Sequence, residues 1–234
     1  MASEHDEELP PPPVPAPDEA PERVSGSAAM LIIACGALAR EILALIDLNG
    51  WRHMDLTCLP ADLHNRPKLI PERLRAKIRA NRDRYDRILV AYADCGTGGD
   101  IDKVLAEEGG ERLAGPHCYA FFAGQEAFDA LHEAEPGTFY LTDYLARHFE
   151  TLVIKGMKLD RHPELLAMMF GNYKRLVYLA QTDDPALDAR AEAGAARLGL
   201  AYERRRTGYG ELADFMAEAA SGHATVPSAQ AGKG

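Results

Sequence analysis

Apolar and polar positions along the chain fall into a repeating order of short apolar runs and helically spaced stretches. The runs Met30–Cys35, Met54–Leu59, the segment from Arg87 that ends at Cys95, and Lys174–Ala180 read as buried strands. Between them, apolar residues recur at helical spacing. Leu38, Ile42, Leu45 and Ile46 share one face, and Ile101, Val104 and Leu105 follow Asp100, a plausible N-cap. Leu69 to Arg82 reads as a helix that tolerates Pro71 only in its first turn, and Pro185 to Leu198 as another, followed by a strand over Ala201–Arg206. A further strand is expected from about Gly115 to Phe122, and residues 124–171 look mainly helical, with Thr142 and Asp160 as caps. This order makes about three strand-loop-helix-strand units. It predicts an α/β fold, a mostly parallel sheet with helices on both faces, because parallel strands require crossovers.

Composition sets the limits of the domain. Residues 1–28 hold seven acidic side chains, one arginine and a proline-rich run from Pro10 to Pro17, a mixture that buries too little apolar area to offset the entropy of ordering. A disordered arm is expected there, a single domain over 29–220, and a disordered tail over 221–234. No basic segment followed by an apolar stretch marks a secretory signal, and no apolar run is long enough to span a bilayer, so the chain is expected to be cytoplasmic and free of membranes. The net charge of −10 argues against a nucleic-acid partner. The dense basic run Arg204-Arg205-Arg206 fits a charged edge strand better than an anion site.

Candidate chemistry gathers where strands end. Cys35 and Cys95 close two equivalent strands, and in a parallel sheet such ends meet along one edge, so both thiols are expected in one crevice. His64 and the pair His117-Cys118 lie at or beyond the ends of the partner strands. Strand alternation would send those last two to opposite faces, and Cys118 is the preferred ligand. In a reducing compartment a metal role outranks a disulfide, and Cys35, His64, Cys95 and Cys118 suit a tetrahedral zinc. Cys58, inside a strand, reads as an inert small hydrophobe. Gly96, Thr97, Gly98 and Gly99 precede a helix and could form an anion-binding nest for a ligand; a tight turn beside the metal explains them equally well. His162, flanked by Arg161 and Asp160, is the candidate acid-base or substrate-side group, whereas Glu41 reads as a solvated surface residue.

Taken together, Ala34-Cys35-Gly36-Ala37-Leu38, Leu63-His64-Asn65-Arg66-Pro67, Asp94-Cys95-Gly96-Thr97-Gly98-Gly99, His117-Cys118-Tyr119 and Leu159-Asp160-Arg161-His162-Pro163-Glu164-Leu165 resemble the bacterial and archaeal family named domain of unknown function 1638, over about residues 30–215. Genes of that family lie near corrinoid-dependent methyltransferases acting on methylamines or betaines. The resemblance therefore implies a one-carbon context, an indirect corrinoid link, and a small-molecule substrate or corrinoid methyltransferase components as partners. It brings no catalytic assignment. The resulting expectation is a zinc-binding protein, leaning to a zinc-dependent transferase in methyl transfer. The alternative is a non-catalytic ligand-binding or docking module.

Overall fold

The computed structural model describes residues 20–222. The expected parallel strands are present, but they divide into two sheets. The first contains β1 (Met30–Cys35), β2 (Met54–Leu59), β3 (Arg87–Ala91) and the two-residue β4 (Glu111–Arg112), in the order β2-β1-β3-β4. The second contains β5 (Thr138–Leu141), β6 (Arg175–Ala180) and β7 (Ala201–Arg206), in that order. All pairings within them are parallel. β1 is central and buried along its whole length, as expected of a parallel strand covered on both faces. Its register sets Ala34 beside both Cys58 and Ala91, so the chain leaves β1 and β3 at the same level of the sheet.

The crossovers are α1 (Ala39–Asn49), α2 (Ile70–Asn81) and α3 (Asp100–Glu108) in the first half. Glu108 of α3 accepts from Arg75, Arg79 and Arg82 at 2.6–2.9 Å, which clamps the start of α3's exit to α2 and the turn after it. In the second half, α6 (Asp143–Arg147), a π-helical stretch Glu150–Lys155, α7 (Leu165–Phe170) and α8 (Pro185–Leu198) surround β6. β7 is the charged edge strand expected from Arg204–Arg206; Arg204 and Arg206 pair with Asp183 at 2.8 and 3.0 Å.

Two elements depart from expectation. The segment read as a strand from Gly115 to Phe122 contains instead α4 (Cys118–Ala123), and the pairing to β3 is made upstream by Glu111 and Arg112. A short apolar run cannot distinguish strand from buried helix by period alone. Here Phe121 and Phe122 pack into the core of the first sheet while Ala120 faces a small cluster with Phe128, Tyr140, Val177 and Leu179 of the second half. A strand would turn Ala120 and Phe122 to one face and Phe121 to the other, whereas a helical turn lets the adjacent Phe121 and Phe122 share a side. The stretch 124–171 is interrupted by β5, whose Thr-Phe-Tyr-Leu sequence is β-prone but short. Thr142 does cap α6, accepting from the Leu145 amide, whereas Asp160 caps nothing: α7 begins at Leu165 with Glu164 before it. Helix α3 likewise starts at Asp100 after Gly99 rather than being capped by Asp100.

The halves are joined by α4, by α5 (Gln125–Ala134), and by α9 (Gly210–Ala220), which returns from the second sheet and buries Leu212, Met216 and Ala219 in the core of the first. The approach of α9 to α4 is so close that a Cβ on Gly210 would lie 2.3 Å from the Phe122 carbonyl oxygen, and its φ of 48° also suits glycine.

Residues 20–28, expected within the disordered arm, are ordered against the edge strand β2. Arg23 and Leu56 exchange backbone hydrogen bonds of 3.0 and 2.7 Å, and Glu22 Oε1 accepts from the Cys58 amide at 2.8 Å. Such pairing covers an edge that would otherwise present unpaired amides. Residues 1–19 and 223–234 lie outside the described residues.

Candidate functional site

The strand ends of the first sheet open on a cavity of about 320 Å³ between the two halves. Cys35, His64, Cys95, His117 and Cys118 all line it. Cys35 is the last residue of β1, from which a 3₁₀ turn, Gly36–Leu38, leads into α1. Cys95 follows β3 and holds a φ of 48°, a left-handed conformation that non-glycine residues seldom take. Cys118 opens α4 with the extended His117 as its N-cap, and across this strand-to-helix change of backbone the two line the cavity together rather than facing oppositely. His64 comes from the 3₁₀ segment Ala61–Asn65 beyond β2.

The sulfurs of Cys95 and Cys118 stand 3.7 Å apart. Cys35 also contacts Cys118, and that contact, burial, and repulsion between the two thiolates push the Cys35 thiol well above its ordinary range. For Cys118 the hydrogen bond with Cys35 favours the thiolate, but Cys95 and burial outweigh it and the net shift is upward. Burial lowers both imidazoles, His117 additionally through the nearby His64, which favours the neutral, ligand-competent form. Tyr92, fully buried just past β3, lies beside all three thiols, and its hydroxyl is placed to donate to the Cys35 sulfur, which favours that thiolate.

A metal ion bound by thiolates fits this donor set in part. Sulfurs about 2.3 Å from a tetrahedral zinc are separated by about 3.8 Å along the tetrahedron's edge, and the Cys95–Cys118 separation is 3.7 Å. Among the described residues no three His, Cys, Asp or Glu side chains are already drawn in as a complete metal site. Cys35 and a histidine would have to close on the ion.

The remaining sequence candidates are placed elsewhere. Gly96, Thr97, Gly98 and Gly99 form a nest, but Asp94 fills it: its carboxylate accepts from the amides of Gly98 and Gly99 at 3.1 and 2.8 Å and from the Thr97 hydroxyl at 2.8 Å. Burial would raise Asp94, yet these hydrogen bonds hold it below the usual carboxylate range. The loop amides are thereby spent on the protein's own anion, none of the four residues lines the cavity, and the positive φ of Gly98 and Gly99 serves this turn. His162 is exposed, its Nδ1 3.1 Å from Glu164, on a surface turn that reverses at Lys158 with a φ of 59°, and it is not among the cavity-lining residues. Cys58 stays buried in β2 outside the cavity, in keeping with an inert role.

Two buried polar residues outside the cavity lining were not read as such in the sequence. Tyr92 read only as part of an apolar run. Glu41 is buried at 5% exposure with Oε2 unpartnered, not solvated, and burial pushes it up to about 7. The signal was present: Leu38, Glu41, Ile42 and Leu45 fall at i, i+3, i+4 and i+7, on the inward stripe of α1.

The fold and cavity define a doubly layered α/β protein with a thiol-lined crevice at the strand ends. The chain belongs to the family described as "Protein of unknown function (DUF1638)", which matches residues 58–216. That segment includes His64, Cys95, His117 and Cys118, while β1 and Cys35 lie upstream of it. No curated protein and no solved structure matches the chain. No helix among the described residues is long and apolar enough to cross a membrane.

Proposed function

We propose that the protein binds one zinc ion through Cys35, Cys95 and Cys118, with His64 or a water in the fourth place, and acts on a small ligand held in the cavity beside it. The observation that carries the reading is the convergence of three thiols from three separate elements on one cavity wall, with two sulfurs 3.7 Å apart. Thiolate and imidazole donors favour zinc over magnesium or calcium. A bound zinc would supply the positive charge that keeps a coordinated thiol deprotonated near neutrality. The chain's own contribution is to exclude water and shape the ligand: Phe122, Phe139, Tyr144, Leu152 and Val153 add apolar surface to the lining, and among the described residues neither lysine nor arginine lines the cavity. Such walls suit an uncharged or cationic small molecule better than a phosphate or carboxylate. The finer reading, a transferase in corrinoid-linked methyl transfer, rests on the family resemblance and agrees with a soft nucleophile in an apolar chamber.

A second reading, a docking module whose zinc is structural, draws on the exposed Met168, Met169 and Tyr173 near α7, with Met168 exposed by 74%. Metal analysis of untagged protein tests the shared premise. About one zinc per chain is expected, lost in Cys95→Ser and Cys118→Ser but retained in Cys58→Ser. Protein that takes up no zinc when reconstituted would overturn both.

A further inference from the structure

Cys95 and Cys118 have a geometry that the metal reading does not exhaust. Their sulfurs, 3.7 Å apart, are in van der Waals contact and need to approach by less than 2 Å to reach the roughly 2.05 Å of a disulfide. They lie on adjacent segments, which backbone hydrogen bonds from the Asp94 amide to the Gly115 carbonyl and from the Cys95 amide to the Pro116 carbonyl hold side by side. Cys95 heads a glycine loop and already holds a left-handed backbone conformation, whereas Cys118 is the first residue of a six-residue helix. Cys35, by contrast, ends the central strand, where its register partner is Leu59 of β2. Cys118 is also the only partly exposed thiol of the four, and it faces an open cavity that admits a small oxidant.

We infer that Cys95 and Cys118 form a redox-active dithiol that closes to a disulfide on reaction with a peroxide. The Cys118 sulfur, losing its thiol proton, attacks one peroxide oxygen; the O–O bond breaks, and the departing oxygen takes that proton to leave as water or an alcohol. The Cys95 sulfur then attacks the Cys118 sulfenic sulfur: the S–S bond forms, the S–OH bond breaks, and the hydroxyl leaves as water with the Cys95 proton. Two thiols are oxidised by two electrons and one peroxide is reduced. The pairing itself needs no metal. Its consequence rests on the zinc reading above: the disulfide removes two ligands at once, so oxidation would release the ion, and zinc would shield the thiols until it does.

The test uses the full wild-type chain, reduced, in zinc-loaded and chelator-treated forms, titrated with hydrogen peroxide and mapped by non-reducing peptide mass spectrometry. About one disulfide per chain, joining Cys95 to Cys118, is expected in both forms, with slower oxidation and matching zinc release in the loaded one. Cys35→Ser should keep the link, and Cys95→Ser should send Cys118 on to sulfinic acid. Overoxidation of Cys118 in the wild type while Cys95 remains alkylatable, or a link from Cys118 to Cys35, would overturn the inference. A chain that binds zinc yet forms no disulfide in either state refutes this inference and leaves the zinc reading standing; one that forms the disulfide but never binds zinc does the reverse.

Discussion

The two halves of the molecule solve the same problem differently. In each, a central parallel strand runs out into a polar loop whose amides need acceptors, and in each an aspartate provides them. In the first half the aspartate is local: Asp94 folds back on Thr97, Gly98 and Gly99 within its own loop. The crevice beyond it stays open, and the thiols line it. In the second half the acceptor comes from a neighbouring element. Asp143, at the start of α6 and buried, receives the Tyr178 hydroxyl at 2.7 Å, the Gln181 amide at 2.9 Å and the Thr182 amide at 3.0 Å, while Gln181 Oε1 accepts from the Asp143 amide at 2.7 Å. That carboxylate plugs the position at which open α/β sheets bind ligands. Equivalent topology thus yields one structural end and one chemical end, and the difference lies in where the anion comes from.

Asp143→Ala should have the largest effect on this contrast. It strands the buried Tyr178 hydroxyl and Gln181 amide and the half-buried amide and hydroxyl of Thr182, at a cost of about 3 to 5 kcal/mol, or a fall in melting temperature of roughly 10 °C for a chain of this size. Thermal unfolding checks it. A fall of less than about 2 °C would mean that the second crevice is not held shut by Asp143 at all.

Glu41 sits at the seam between the halves, where Asp143 opposes its charge and Arg147 and Arg40 favour it. Burial, the leading cause, raises its folded value to about 7 from an ordinary 4.5. The folded state therefore binds this proton more tightly than the unfolded chain does. The stabilisation from holding it is full below about 4.5 and is lost as pH rises through about 7. Glu41→Gln should flatten that decline and make the protein more stable at pH 8, by up to about 3 kcal/mol. Urea unfolding across this pH range measures it; wild-type stability that is level from weakly acid to weakly basic solution would contradict the burial argument.

The smallest effect is expected at His162, which faces solvent and, among the described residues, pairs with Glu164. His162→Ala should change stability by no more than about 0.5 kcal/mol and leave zinc content untouched. Loss of metal or of ligand response in that variant would move the chemistry out of the first crevice.

Much of this contrast could be read from the chain. β1 announces itself as a continuous apolar run and α3 and α8 by helical period, aided by bounding Gly, Asn and Pro residues, while β2 and β7 follow from their place between such signals. The meeting of Cys35 and Cys95 followed from parallel topology alone. What escaped was decided by tertiary packing. α4 and β5 are too short for periodicity to distinguish them, and Cys118 reaches the cavity from a helix rather than the expected strand. The glycine loop carried the composition of an anion nest, but composition does not reveal that Asp94, one residue before Cys95, would occupy it. His162 stood in a run of polar and aromatic residues of which several are buried, and only the fold shows His162 itself to be surface.

Zinc K-edge X-ray absorption on the metal-loaded wild-type protein tests the central claim most directly, because it counts the atoms around the ion. The account predicts about three sulfurs near 2.3 Å and one nitrogen or oxygen near 2.0 Å, with the sulfur count falling by one in Cys118→Ser. A first shell of nitrogen and oxygen alone, or a spectrum unchanged by that substitution, would contradict it.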